Sequence, residues 1–347
     1  MTPVSPRHMR GAYLPGNSTV DLRTVPVPSP GKGQVLVRVE ASTICGSDIR
    51  AIYREHTGSG AEAYQDVIAG HEPSGVVEEV GPEVKERTSG DRVVVYHISG
   101  CGLCQECRAG YQIACTSPLR QAYGWQRDGG HAQYLLAEER DLVLLPDSLT
   151  FLDGACVACG FGTAYEAVRR ADVSGADSIL VTGLGPVGLA VGMLARALGA
   201  STVIGSDPVA NRRSEAVDMG AVTSAIDPTV GAVPENQFSV AIDASGNGRG
   251  QLAALHGLRR WGRGVLVGEG GSFPIEGSPD LIHKSAALMG SWVTSLPRMQ
   301  ELARNLDRWG LHPEKVVTHS YPLAEADAAY EAAAGGAEGK IAILPNA

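Results

Sequence analysis

From Ser178 onward the chain alternates short β-branched runs with stretches of helical length, and this alternation constrains the fold more than any other feature. SILVTG (178–183) reads as a strand, PVGLAVGMLARALGA (186–200) as a helix, STVIGSD (201–207) as a second strand and NRRSEAVDMGA (211–221) as a second helix. TSAID (223–227), FSVAIDAS (238–245), GVLVG (264–268) and AALMGSW (286–292) supply further strands. Repeated strand–helix–strand units imply an α/β fold with a parallel, doubly wound sheet. The stretch 227–237 is too short for the usual covering helix, so one face of that sheet is expected to be thinly covered or covered by another subunit.

The first 150 residues read differently. QVLVRVEAS (34–42), DRVVVYHIS (91–99), HAQYLLA (131–137) and LVLLP (142–146) are short strand-like runs punctuated by Gly, Pro and Asp, as in a barrel-like antiparallel domain. The tail adds an amphipathic helix (MQELARNLDRW) and a last strand, IAILP, expected to rejoin the first domain. A chain of 347 residues is long enough for two cores. The expected division is 1–158 plus 294–347 for one domain and 159–293 for the other, with the first eight or so residues a loose extension.

Acidic residues outnumber basic ones, 38 to 29, and no long basic run exists, so nucleic acid is not an expected partner. No signal-peptide h-region or long apolar span is present, and a cytoplasmic location without membrane contact is expected.

Four of the seven cysteines fall in one segment, Cys101, Cys104, Cys107 and Cys115, spaced C-x2-C-x2-C-x7-C. A short loop can fold four thiolates around one tetrahedral zinc, which then has no open position and only holds the loop (about 97–118). Disulfides are disfavoured in a chain without a secretion signal, and an iron–sulfur cluster usually wants other spacing. A zinc that does chemistry needs about three protein ligands and one free position. Cys45, His71 and Cys159 can provide these, with Glu72 an occasional fourth ligand and Cys156 the substitute for Cys159.

Gly183, Leu184, Gly185, Pro186, Val187 and Gly188 form G-x-G-x-x-G directly after a strand and opening a helix, the context a dinucleotide pyrophosphate requires. Asp207 ends the next strand, where a carboxylate accepts ribose hydroxyls and repels a 2′-phosphate, so NAD is expected over NADP. Arg212 and Arg213 follow closely, as ribose contact or solvated helix face.

Together, CGSD (45–48), GHE (70–72), GDRVVV (90–95), the cysteine lobe, DGGHAQY (128–134), GTAY (162–165) and GLGPVG (183–188) resemble the zinc-containing medium-chain dehydrogenase/reductase family over essentially the whole chain from Met9. The resemblance implies a GroES-like catalytic domain beside a Rossmann domain, two zinc ions per chain, NAD, and a homodimer or homotetramer. It makes Cys45, His71 and Cys159 the catalytic-metal ligands. It also puts Ser47 on the substrate hydroxyl and Thr163 beside the nicotinamide. LIHKSAALMGSW (281–292) and CGFGTAYEAVRRADVSG (159–175) look most like the threonine-dehydrogenase-like branch.

Arg50 stands where many relatives carry a relay histidine, and an arginine that never deprotonates cannot pass a proton. His56 is a substitute only if it is more than a loop histidine. Polyol-dehydrogenase relatives often have glutamate where Cys159 stands. The implied reaction is reversible oxidation of a secondary alcohol on a polyol, sugar, cyclitol or aminocyclitol, with L-threonine or another amino alcohol as the runner-up. Ser47, Arg50, His56, Glu72, Trp125 and Arg127 fit a hydroxylated substrate better than a plain alkanol. A zinc-free enone reductase would lack both cysteine sets. A non-catalytic nucleotide-binding protein would have no reason to assemble Cys45, Ser47, His71 and Cys159.

Overall fold

The computed structural model describes residues 7–336 and 339–347. The chain divides into two compact units, Met1–Cys159 with Ser295–Ala347, and Gly160–Thr294.

In the first unit the strand Gln34–Thr43 is central. Its Val35, Val37 and Val39 point into a core shared with Val77, Val93, Val95 and Leu135, the burial that its alternating valines predict. Pro73–Val80 pairs along one side of it. On the other side Tyr134–Glu138 pairs with residues 34–38, and the C-terminal strand Lys340–Leu344 pairs at Ser42 and Thr43. Arg92–Val95, Leu142–Leu144 and Val317–Pro322 complete a mostly antiparallel sheet. The tail therefore returns to the first unit.

Three details differ from the sequence reading. The run 91–99 is two strands, Arg92–Val95 and Ile98–Ser99, because the Tyr96 amide bonds the Asp141 carbonyl and the His97 carbonyl takes the Tyr123 amide. His8 is not loose: it opens the hairpin His8–Gly16/Thr19–Pro26, pairing with Pro26, while residues 1–6 lie outside the described ones. The last strand of the second unit, Ala287–Gly290, stops before Trp292. There Val293 adopts a φ of 60°, a conformation that a β-branched residue rarely tolerates.

The second unit carries a six-stranded parallel sheet. Its spatial order is Ser224–Ile226, Thr202–Ser206, Ser178–Thr182, Phe238–Asp243, Leu258–Leu266, Ala287–Gly290. In sequence terms this is 3-2-1-4-5-6, the Rossmann arrangement, whose ligand crevice lies at the carboxyl ends where the order reverses. No helix separates Ile226 from Phe238. Among the described residues, no helix is long and apolar enough to cross a membrane.

One buried carboxylate ties the tail to the body of the first unit. Asp153 accepts the amides of Thr150 and Glu314, each within 2.9 Å, and the Nδ1–H of His312 at 2.8 Å. Replacing Asp153 by Ala strands these donors and is expected to lower unfolding stability by roughly 2–4 kcal/mol in urea titrations.

Candidate active site

The sheet delivers one set of candidate ligands through three separate connections. Thr43 ends the central strand, and Cys45 follows two residues later, opening the short helical turn Gly46–Asp48. His71 and Glu72 lie just before the strand Pro73–Val80. Their approach requires Gly70: its φ is +90°, and a Cβ there would lie 2.4 Å from the His131 ring. Cys159 is carried on a π-helical turn, Val157–Phe161, that continues the helix Phe151–Cys156. One ligand atom each from Cys45, His71, Glu72 and Cys159 lies within 4.8 Å of all the others. Cys156 is outside this group; it is fully buried, and burial pushes its thiol pKa up.

The chemistry of the set fits zinc. Asp48, fully buried, accepts the Cys45 amide on Oδ2 (2.9 Å) and the His71 Nδ1–H on Oδ1 (2.8 Å). That bond fixes the tautomer and leaves the Nε2 lone pair for a metal, the usual carboxylate–histidine arrangement around zinc. The interaction of the two neighbouring thiols holds the Cys45 thiol well below its ordinary pKa and raises that of Cys159. Cys45, Cys159 and His71 would offer a divalent cation two thiolates and an imidazole, a borderline-soft donor set. Burial raises the Glu72 pKa, against the opposing pull of Lys340, whose Nζ is 2.6 Å from its Oε2.

His97 supports the same turn. Its ring lies 5.2 Å from that of His71, and its Nδ1 donates to the Ala158 carbonyl at 2.9 Å, one residue before Cys159. Burial lowers its pKa to about 4, so the ring is neutral with its lone pair on Nε2. Ser47 is half-buried in the Cys45 turn, and Arg50 is exposed on the next. His56 is committed elsewhere, with Nε2 2.7 Å from the Leu14 carbonyl.

In the cysteine lobe all four thiols again lie within 4.8 Å of one another. The Cys101 sulfur accepts the amides of Leu103 and Cys104 at 3.4 Å, and these bonds bring its pKa down to about 6. Four converging sulfurs without an open side suit a structural zinc.

In the second unit the glycine loop has room where a pyrophosphate needs it. A Cβ on Gly183 would meet Ser245 Cα at 2.6 Å and one on Gly188 would meet the Gly183 carbonyl at 1.8 Å, whereas one on Gly185 meets nothing within 4 Å. Gly185 caps the helix Pro186–Ala197, whose free amides and dipole favour an anion. Leu184, Pro186 and Val187 complete this turn. Asp207 is nearly buried, with Oδ2 accepting the Leu184 amide and Oδ1 the Val209 amide, both at 2.8 Å. Each carboxylate oxygen keeps a second lone pair for a ribose hydroxyl. Arg212 approaches Asp207 Oδ2 at 3.9 Å, while Arg213 is bound to the Asp207 carbonyl and to Asp227. Thr163 is half-buried in the first turn of Gly162–Arg170.

Asp48, His97 and Lys340 are absent from the sequence reading. Asp48 had a signal, its place three residues after Cys45 in CGSD. His97 follows a strand in a run that reads as uninterrupted, and Lys340 is 268 positions from Glu72.

Comparison with known proteins agrees with this architecture. Residues 31–147 match the alcohol dehydrogenase GroES-like domain and 186–308 the zinc-binding dehydrogenase domain. An uncharacterized zinc-type alcohol dehydrogenase-like protein, YphC of Escherichia coli K12, is 48% identical over 96% of this chain and 98% of its own length. The chain belongs to the zinc-type medium-chain alcohol dehydrogenase family. It is an oxidoreductase of that family. L-Threonine 3-dehydrogenase of Legionella pneumophila (strain Corby) is 29% identical over 92% of this chain and 95% of the relative. Sorbitol dehydrogenase of Bombyx mori is 29% identical over 96% and 97%. A zinc-binding dehydrogenase of Sinorhizobium meliloti, solved bound to NADP, superposes with a TM-score of 0.87 at 25% identity, covering 98% of this chain and all of that one.

Asp48→Asn keeps the shape but weakens the hold on the His71 tautomer. Competition with a chelator should show metal at this centre bound roughly 10–100-fold less tightly, with the cysteine lobe unaffected.

Proposed function

We propose that this enzyme oxidises a secondary hydroxyl on a polyol, sugar, cyclitol or aminocyclitol, reversibly and with NAD. The observation that carries the reading is the convergence of Cys45, His71, Glu72 and Cys159 within 4.8 Å in one buried place. Cys45, His71 and Cys159 would hold a zinc ion, with Glu72 in reserve, and Cys101, Cys104, Cys107 and Cys115 a second. The first supplies Lewis-acid polarisation of the substrate hydroxyl. Ser47 Oγ would bond that hydroxyl and relay its proton, accepting it while giving up its own hydroxyl proton to solvent. Asp48 keeps the imidazole oriented, and His97 holds the turn bearing Cys159. NAD supplies the hydride acceptor. Gly185 leaves room for its pyrophosphate while Gly183 and Gly188 let the loop backbone close up around it, Asp207 and Arg212 face the adenosine ribose, and Thr163 stands by the nicotinamide.

A second reading, L-threonine or another amino alcohol, is supported by Arg50. Its Nη1 would lie 3.7 Å from a Cβ on Gly46, so a guanidinium runs beside the Cys45 turn and suits a substrate carboxylate. The seven free cysteines accord with a reducing, cytoplasmic setting, and a homodimer or homotetramer is the proposed assembly.

Metal analysis should find two zinc ions per chain. NAD-reduction assays over polyols, cyclitols, aminocyclitols, L-threonine and simple alcohols, repeated with NADP, are expected to give the highest kcat/KM for a polyhydroxylated substrate with NAD. Turnover confined to L-threonine would replace the first reading by the second. Ser47→Ala should lower kcat by two orders of magnitude or more while leaving NAD affinity unchanged; unaltered turnover would remove Ser47 from the proton's path.

A further inference from the structure

Lys340 is the buried charge that the chemistry above leaves unused. It is 5% exposed and opens the C-terminal strand, where Ile44 donates its amide to the Ile341 carbonyl at 2.9 Å and Ala342 pairs with Thr43. The tail strand thereby delivers an ammonium to the same turn that presents Cys45. Its Nζ lies 2.9 Å from Glu72 Oε1 and 2.6 Å from Oε2, and Thr43 Oγ1 donates to Oε2 at 2.5 Å. Glu72 is fully buried, so neither partner has water as an alternative. Yet a Glu72 oxygen also lies within 4.8 Å of the ligand atoms of Cys45, His71 and Cys159. One carboxylate is thus paired with an ammonium and within reach of the candidate metal site.

We propose that Lys340 is a positioning residue that holds the Glu72 carboxylate back from the metal and so keeps the fourth coordination position available to substrate. The charges favour this balance. Two thiolates cancel a divalent cation, so a carboxylate added to the coordination shell leaves a buried negative charge, whereas the same carboxylate paired with Lys340 leaves none. Without the ammonium, a metal in this site would be the cation that Glu72 faces, and the carboxylate would close the site. Thr43 adds direction, since its hydroxyl holds Oε2 on the Lys340 side. This inference rests on the proposed metal centre, not on the substrate class.

The test uses cobalt(II)-substituted enzyme and imidazole as a monodentate probe of the free position, followed by the visible d–d spectrum, with no substrate required. The cysteine lobe, closed by four sulfurs, contributes a constant background. Lys340→Met is expected to weaken imidazole binding at least tenfold, Lys340→Arg to restore it to within about threefold, and the Lys340→Met/Glu72→Gln double variant to restore it as well. A simple packing defect at Lys340 would not be reversed by Glu72→Gln. Glu72→Gln alone should bind imidazole as tightly as the parent or more tightly, and it keeps the inference testable where Lys340→Met does not fold. Parental affinity in Lys340→Met, no recovery in the double variant, or a tenfold loss in Glu72→Gln alone would overturn the inference. Uptake of only one cobalt per chain would overturn the metal centre itself and this inference with it.

Discussion

The first unit is organised around the cost of placing ionisable groups out of water. Two thiols, an imidazole and two carboxylates (Asp48 and Glu72) are packed together, and an unpaired charge among them would be prohibitive. Each is therefore tied to another: Cys159 to Cys45, His71 to Asp48, and Glu72 to Lys340 and Thr43. The sheet exists to bring these partners in from distant parts of the chain. The central strand alone pairs with segments that begin 39, 100 and 306 residues after its first residue, Gln34.

The second unit rests on a different principle, the alignment of strand ends. Six parallel strands finish on one edge, and the order reversal beside Ser178–Thr182 opens a crevice there. Thr182 Oγ1 donates to the buried Asp243 carboxylate at 2.7 Å, which joins the two strands on either side of the reversal just before the glycine loop begins. The loop's shape is then imposed by close backbone approaches at Gly183 and Gly188 that no side chain could share.

Much of this was legible in the sequence because its determinants are local. The alternation from Ser178 onward, the spacing of the four lobe cysteines and the glycine loop each lie within one short segment. The choice of Cys159 over Cys156 rested on the family resemblance, since both are thiols three positions apart and spacing alone does not separate them. It depends on the π-helical turn that carries Cys159 to Cys45, while Cys156, one residue before that turn, is fully buried outside the ligand group. The run 91–99 read as one strand because β-propensity does not report where a carbonyl such as that of Asp141 will claim an amide from the ladder. The hairpin His8–Gly16/Thr19–Pro26 was hidden by its prolines and glycines, which resemble loop composition. Lys340 could not be read at all: a lysine after a glycine near the end of a chain has the look of a solvated residue. The pairing of the tail strand with Thr43 on one side and with Val317–Pro322 on the other encloses it.

The two-sided use of Asp207 has a bearing on how such a protein can change. Its carboxylate is held by the amides of Leu184 and Val209, so the group proposed to meet the adenosine ribose also shapes the glycine turn proposed for the phosphates. A lineage drifting toward a coenzyme with an extra phosphate at that end cannot simply discard the acid. It would have to find the orphaned Leu184 amide another acceptor first, which makes coenzyme choice an inherited constraint of the loop and not a freely adjustable surface trait.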